Sequence, residues 1–211
     1  VEAQFMMKRF LSAMVTAGLL AGVVTGAKAE GPESDEQAEP EVSTPYGGTP
    51  HPIPGLIEAE HFDDGPPGVA YYDVDEVNHG APYRENTQVD IEKRSDASNG
   101  YGIGWTRAGE WLNYTVEVKE AGSYRVEFPV ASNRKGGIFH LEFDGKDVTG
   151  PIRVPDTGGW DKLEMIAVDG VELETGNFVM RMVMVEEGPS GSIGDIDYIH
   201  FIKENGEDEE E

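Results

Sequence analysis

The fold class this chain predicts is all-β, an antiparallel sandwich or jelly roll, and three observations carry that expectation. No segment after the first thirty residues keeps a helical period for more than about two turns. Short runs with two-residue alternation of apolar and polar side chains recur from Leu56 onward. Clusters of Gly, Pro, Asp and Asn separate those runs at the spacing expected of a many-stranded sandwich.

The expected strands are Leu56–Glu60, Gly102–Trp105, Glu110–Val118, Gly122–Ala131, Gly137–Phe143, Trp160–Val168, Asn177–Val185 and Ile196–Ile202. Alternation is plainest in two of them. Tyr124, Val126, Phe128 and Val130 share one face, as do Phe178, Met180, Met182 and Met184. Turns fall at Glu120-Ala-Gly122, Asp144-Gly145, Asp169-Gly170 and Thr175-Gly176. Large aromatics on the strands, Trp105, Trp111 and Tyr114, are expected in the core. No internal repeat is evident, which argues against a propeller or solenoid.

The ends read differently. Met7-Lys-Arg-Phe, the apolar run Leu11–Val24 and the small-x-small pattern Ala27-Lys-Ala29 predict a signal peptide over 1–29, hence secretion. The run is shorter than the roughly 20 residues a spanning helix needs, although retention as a membrane anchor is the competing reading. Residues 30–52 read as an acidic, Pro-rich linker, 53–202 as the folded module and 203–211 as an acidic tail. Residues 30–50 hold six acids and no base, and 203–211 hold six acids and one lysine. Like-charge blocks of this kind are expected to be disordered.

Composition excludes several functions. The chain of 211 residues has no cysteine, so disulfides, thiol catalysis and thiolate metal sites are ruled out. A formal charge of −25 argues against nucleic acid and anionic membrane as partners. Histidines at 51, 61, 79, 140 and 200 lack zinc-ligand spacing, and no Gly-x-Ser-x-Gly nucleophile motif is present. Asp195 and Asp197 alternate on the last strand, but glycoside hydrolysis needs two carboxyls across one cleft. The chain is expected not to be an enzyme.

Several segments in order resemble the carbohydrate-binding modules of family 6. They are Leu56-Ile-Glu58-Ala-Glu60; Asn99-Gly-Tyr101-Gly-Ile-Gly-Trp105; Ala108-Gly-Glu-Trp111-Leu-Asn-Tyr114; Ala121-Gly-Ser-Tyr124; Leu141-Glu-Phe-Asp144-Gly145; Val154-Pro-Asp-Thr157-Gly-Gly-Trp160; and Gly194-Asp195-Ile-Asp197-Tyr-Ile-His-Phe201. The resemblance implies a galactose-binding-domain-like jelly roll that binds polysaccharide without catalysis.

It also implies a site. Aromatic residues at the positions of Tyr101 and Trp160 would sandwich one sugar, whose C–H face stacks on a ring while its hydroxyls meet polar groups. The bland alternative for both is core packing. Asp195 stands where the family usually has Asn, and an ionised Asp can only accept hydrogen bonds. Asn99 is a candidate second contact, or simply a turn former. A structural Ca²⁺ is implied at Glu58, Glu60 and Asp197, with a solvated acidic edge as the alternative. The expected partners are a polysaccharide or oligosaccharide and a glycoside hydrolase that the module targets, with the module itself a monomer. A small hydrolase or lyase and a calcium-stabilised adhesion protein remain the other readings.

Overall fold

A computed structural model of the chain describes residues 42–205, which fall within one unit, Glu39–Glu211. The expected signal peptide, the linker up to residue 41 and the tail from 206 lie outside the described residues. Fourteen strands are formed among those described. The first seven are β1 His51–Ile53, β2 Gly55–Glu58, β3 Tyr71–Tyr72, β4 Ile91–Lys93, β5 Tyr101–Ile103, β6 Trp111–Val118 and β7 Gly122–Ser132. The rest are β8 Ile138–Phe143, β9 Lys146–Asp147, β10 Ile152–Arg153, β11 Gly159–Leu173, β12 Gly176–Glu186, β13 Asp195–Ile196 and β14 Tyr198–Lys203. Among the described residues no helix is long and apolar enough to cross a membrane.

The strands form two sheets. One runs β1-β6-β12-β8-β10, with β3 added to β6 and β9 to β8. The other runs β2-β14-β7-β13-β5-β4, with β11 added to β7. All pairings are antiparallel except β1 with β6. The architecture is the β-sandwich that the alternation predicts. Tyr124, Val126, Phe128 and Val130 are all fully buried from the second sheet, and Met180, Met182 and Met184 from the first. Phe128 and Phe139 join the two sheets edge to face at 5.1 Å, and Phe143 meets Phe201 the same way at 6.2 Å. Burial of each such ring stabilises the fold by roughly 1.5–3 kcal/mol.

Turn chemistry closes the strands. Asp144 (φ 48°) and Gly145 (φ 79°) both adopt positive φ, the primed turn that an Asp-Gly pair favours between antiparallel strands, here β8 and β9. At Asp169-Gly170 the chain does not reverse as expected. It continues through β11 with a register shift between Val168 and Val171.

Residues 42–52, expected as linker, are instead part of the fold. Thr44 bridges to Asp64, and His51–Ile53 pair in parallel with Val116–Val118. Tyr46 stacks on His61 at 4.2 Å, beneath the Arg84 guanidinium. A 3-10 turn at Tyr46–Gly48 interrupts the segment, and only His51–Ile53 is extended, where it serves sheet pairing.

Trp105 and Trp111 also depart from the expected core. β5 ends at Ile103, so alternation no longer governs Trp105, which is 49% exposed. Trp111 points outward from β6, and Arg181 covers its ring at 3.9 Å. Tyr114 is core, with its hydroxyl donating to the Ala59 carbonyl at 2.7 Å.

Candidate functional site: a tryptophan-walled cavity and an acidic trio

Loops preceding β4, following β5, and preceding β11 and β13 meet at a cavity of about 730 Å³. Trp105 and Trp160, 49% and 36% exposed, both line it. Asp75, Asp90, Glu92 and Asp195 supply carboxylates, and Ser190 and Ser192 lie on the side of the last loop. Its lining is thus aromatic and polar at once, the composition that suits a ring with an apolar face and hydroxyl edges.

Local chemistry fixes the tryptophans. Trp105 itself has φ 49°, a left-handed backbone that is rare for a bulky residue and must be held by its surroundings. The next residue does much of that holding. The Thr106 hydroxyl donates to the Gly194 carbonyl at 2.7 Å, while the Thr106 carbonyl accepts from the Ile193 amide and the Ser192 hydroxyl. On the other side, the Arg107 amide donates to Glu110 and its guanidinium pairs with Glu187 at 2.8 Å. The approach to Trp160 is pinned by buried Thr157, whose hydroxyl oxygen accepts from the Ser132 amide at 2.9 Å.

The floor is electrostatically tense. Arg94, buried, pairs with Glu92, with Asp195 at 3.0 Å and with Asp96 at 2.9 Å. Burial, followed by the charge of Glu92, pushes the Asp195 carboxyl up to about 8, against the pull of Arg94. Behind the rim, burial raises Glu110 to about 8, helped by the charge of Asp73, and raises Asp73 to about 6, helped by Asp90 and Asp75 against a hydrogen bond with Glu110.

Two of the sequence-derived ligand residues are not in this cavity. Tyr101, expected opposite Trp160, stacks on Tyr83 at 4.4 Å and packs against the core. It lies in β5 itself, so its ring faces the neighbouring loop residue. Trp105, four residues on and past the strand end, shares the cavity with Trp160 instead. Asn99 is engaged elsewhere: its amide nitrogen donates to Glu60 and its oxygen accepts from the Tyr101 amide at 2.9 Å. Of the expected ligand residues, Asp195 and Trp160 line the cavity. Trp105, Glu92, Asp90 and Asp75 were not anticipated; the signal for Trp105 was the Thr-Arg-Ala-Gly loop directly after it.

Glu58 at the end of β2, Glu60 just after it and Asp197 just before β14 come together where β2 and β14 pair. The Ser98 hydroxyl donates to Glu58 at 2.7 Å and to Asp197 at 3.1 Å, and the Ser98 amide also donates to Asp197. Glu60 is fully buried, and its Oε2 has no hydrogen-bond partner. Burial raises all three carboxyls, Glu60 to about 7. Among the described residues no three acidic or histidine side chains stand at metal-coordinating spacing. The donor chemistry nonetheless fits a hard cation. Buried Glu60, with its orphaned oxygen, and buried Asp197 stand with half-buried Glu58 beside the Ser98 hydroxyl, an oxygen set of the kind Ca²⁺ prefers.

A β-sandwich with an aromatic and polar cavity between its loops is the setting of a sugar-binding module. The chain belongs to one family of them: residues 80–203 match the carbohydrate binding module (family 6). Two curated proteins align with about half of it. The clotting factor G alpha subunit of Tachypleus tridentatus is 34% identical over 105 residues, 47% of this chain and 16% of that protein. Beta-agarase AgaA of Microbulbifer thermotolerans is 30% identical over 108 residues, 50% of this chain and 24% of that protein. The aligned region is thus under a quarter of either relative's length.

Among solved structures, the C-terminal family 6 module of LamC, a marine laminarinase from Zobellia galactanivorans, superposes with a TM-score of 0.52 at 25% identity. That match covers 71% of this chain and 98% of that one. A β-1,3-glucan-binding family 6 module from Bacillus halodurans gives 0.54 at 22% identity over 72% and 98%, a likeness of fold.

Proposed function

We propose that the module binds polysaccharide by stacking one sugar residue against Trp105 and Trp160, with hydrogen bonds to the carboxylates of Glu92 and Asp195. The observation that carries this reading is the pair of part-exposed indoles on one cavity, one of them on a left-handed backbone. Glucans and galactans are the ligand classes favoured by the relatives, one of which is named a beta-agarase. An open site of two aromatic platforms and a few hydrogen bonds gives micromolar to millimolar affinity, about −8 to −4 kcal/mol.

Attachment to a catalytic partner compensates for such weakness through effective concentration. In this reading the module is a monomer that targets a secreted glycoside hydrolase to its substrate, with a structural Ca²⁺ held by Glu58, Glu60 and Asp197. Ca²⁺ would neutralise the acidic trio and tie β2 to the start of β14. The experiment is affinity electrophoresis in agarose, β-1,3-glucan and xylan, with Trp105→Ala and Trp160→Ala. Each substitution is expected to weaken binding by at least about tenfold, near the 1–1.5 kcal/mol of an aromatic contact plus its buried area. Unchanged retardation of both variants would remove the cavity from consideration.

A further inference from the structure

Charge distribution around the cavity points to a narrower ligand class, resting on the reading of the cavity as the sugar site. We infer that the cavity selects its sugar by charge, taking an uncharged residue and turning away uronic acids and sulfate esters.

Four carboxyl groups line the cavity: Asp75, Asp90, Glu92 and Asp195. The cation nearest the floor, Arg94, is 3% exposed and surrounded by Glu92, Asp96 and Asp195, so it faces three acids and cannot turn toward a ligand. Arg107 is the one guanidinium on the lining, and Glu187 already holds it at 2.8 Å. His79 stands 3.4 Å from Asp75, and its backbone amide donates to Asp90. A proton on Asp195 would still leave Asp75, Asp90 and Glu92 as a surplus of acids over Arg94. Low-dielectric walls, here including two indoles, concentrate such a field within the cleft. Hydroxyl groups lose nothing there, because carboxylates accept the hydrogen bonds that hydroxyls donate. Among the described residues the guanidiniums at the cavity are already paired with acids, so a carboxylate or sulfate on the sugar faces several like charges.

The test uses matched probes. Laminaritetraose, cellotetraose and neoagarotetraose are titrated calorimetrically, and the tightest binder is compared with its C6-oxidised, uronate-bearing form. The uronate form should bind at least about tenfold more weakly at low salt, and the gap should narrow at about 0.5 M NaCl, where the screening length falls below the cavity's width. The double variant Asp75→Asn/Asp90→Asn should shrink the ratio by about threefold or more. Asn retains the acceptors that Val77 and His79 amides use, so the loop is expected to keep its conformation. Equal binding of the two forms, or a ratio insensitive to salt, overturns charge selection and leaves the sugar site standing. Absence of binding by every neutral probe overturns both.

Discussion

Tyr101 and Trp105 lie four residues apart and have opposite roles, which makes them the sharpest comparison at the level of single residues. Tyr101 sits in a strand with Tyr83 stacked on it. Tyr101→Ala should therefore reduce stability, by about 2–4 kcal/mol as for removal of a packed aromatic ring, while sugar affinity of the folded fraction stays within a factor of about two. Urea unfolding and calorimetry on the same sample would separate these effects, and an affinity loss as large as that of Trp105→Ala would restore Tyr101 to the site.

Glu110 offers a pH test. Its folded value, about 8, lies above the ordinary 4.5, so the fold binds its proton more tightly than the unfolded chain does. The associated stability is fully present below about pH 4.5 and is lost as pH rises through 8, at up to about 1.4 kcal/mol per unit. Glu110→Gln keeps an oxygen for the Arg107 amide and removes the titration. In urea the variant should gain on the native protein between pH 5 and pH 9; parallel losses in the two proteins would contradict the burial argument.

Among elements, the long strands were legible because alternation and burial obey one rule, as in β7 and β12. The short ones were not. β3, β9 and β10 have two residues each, too few to show a period, and exist because a neighbour offers an open edge. Three of the cavity's residues escaped for a related reason: Asp75, His79 and Asp90 belong to a long polar loop whose path is set by packing rather than by local pattern. The proximity of the acidic trio was readable because its members flank the paired strands β2 and β14.

Glycine contacts define another element-level constraint. A Cβ on Gly188 would stand 1.9 Å from the Gly136 carbonyl oxygen, so two backbones touch at the base of the loop carrying Ser190–Ser192. Gly188→Ala should cost about 1–3 kcal/mol and weaken sugar binding as that wall shifts. Thermal melts alongside affinity gels would show it, and native behaviour in both would mean that the contact is easily relieved.

At the scale of the whole molecule, the net charge of −25 makes buried acid clusters costly, and the trio at Glu58, Glu60 and Asp197 is where a cation relieves most. Ca²⁺ at about a hundred times its Kd would add about 2.7 kcal/mol, which raises Tm by roughly 5–10 °C for a chain of this size. Chelation should reverse the shift, and Glu60→Gln should abolish it. An equal shift in that variant would place the ion elsewhere.

The parallel pairing of His51–Ile53 with Val116–Val118, anchored upstream by Tyr46 on His61, bears on how this module can be moved between proteins. The family match spans 80–203, yet the folding unit starts well before it. A graft cut at residue 80 would strip β1, β2 and β3 from both sheets, uncovering the β6 edge and removing Glu58 and Glu60. The transplantable piece is therefore longer than the recognisable one. Its N-terminal margin, read from sequence as a tether, is the seam along which a fusion would hold or fail.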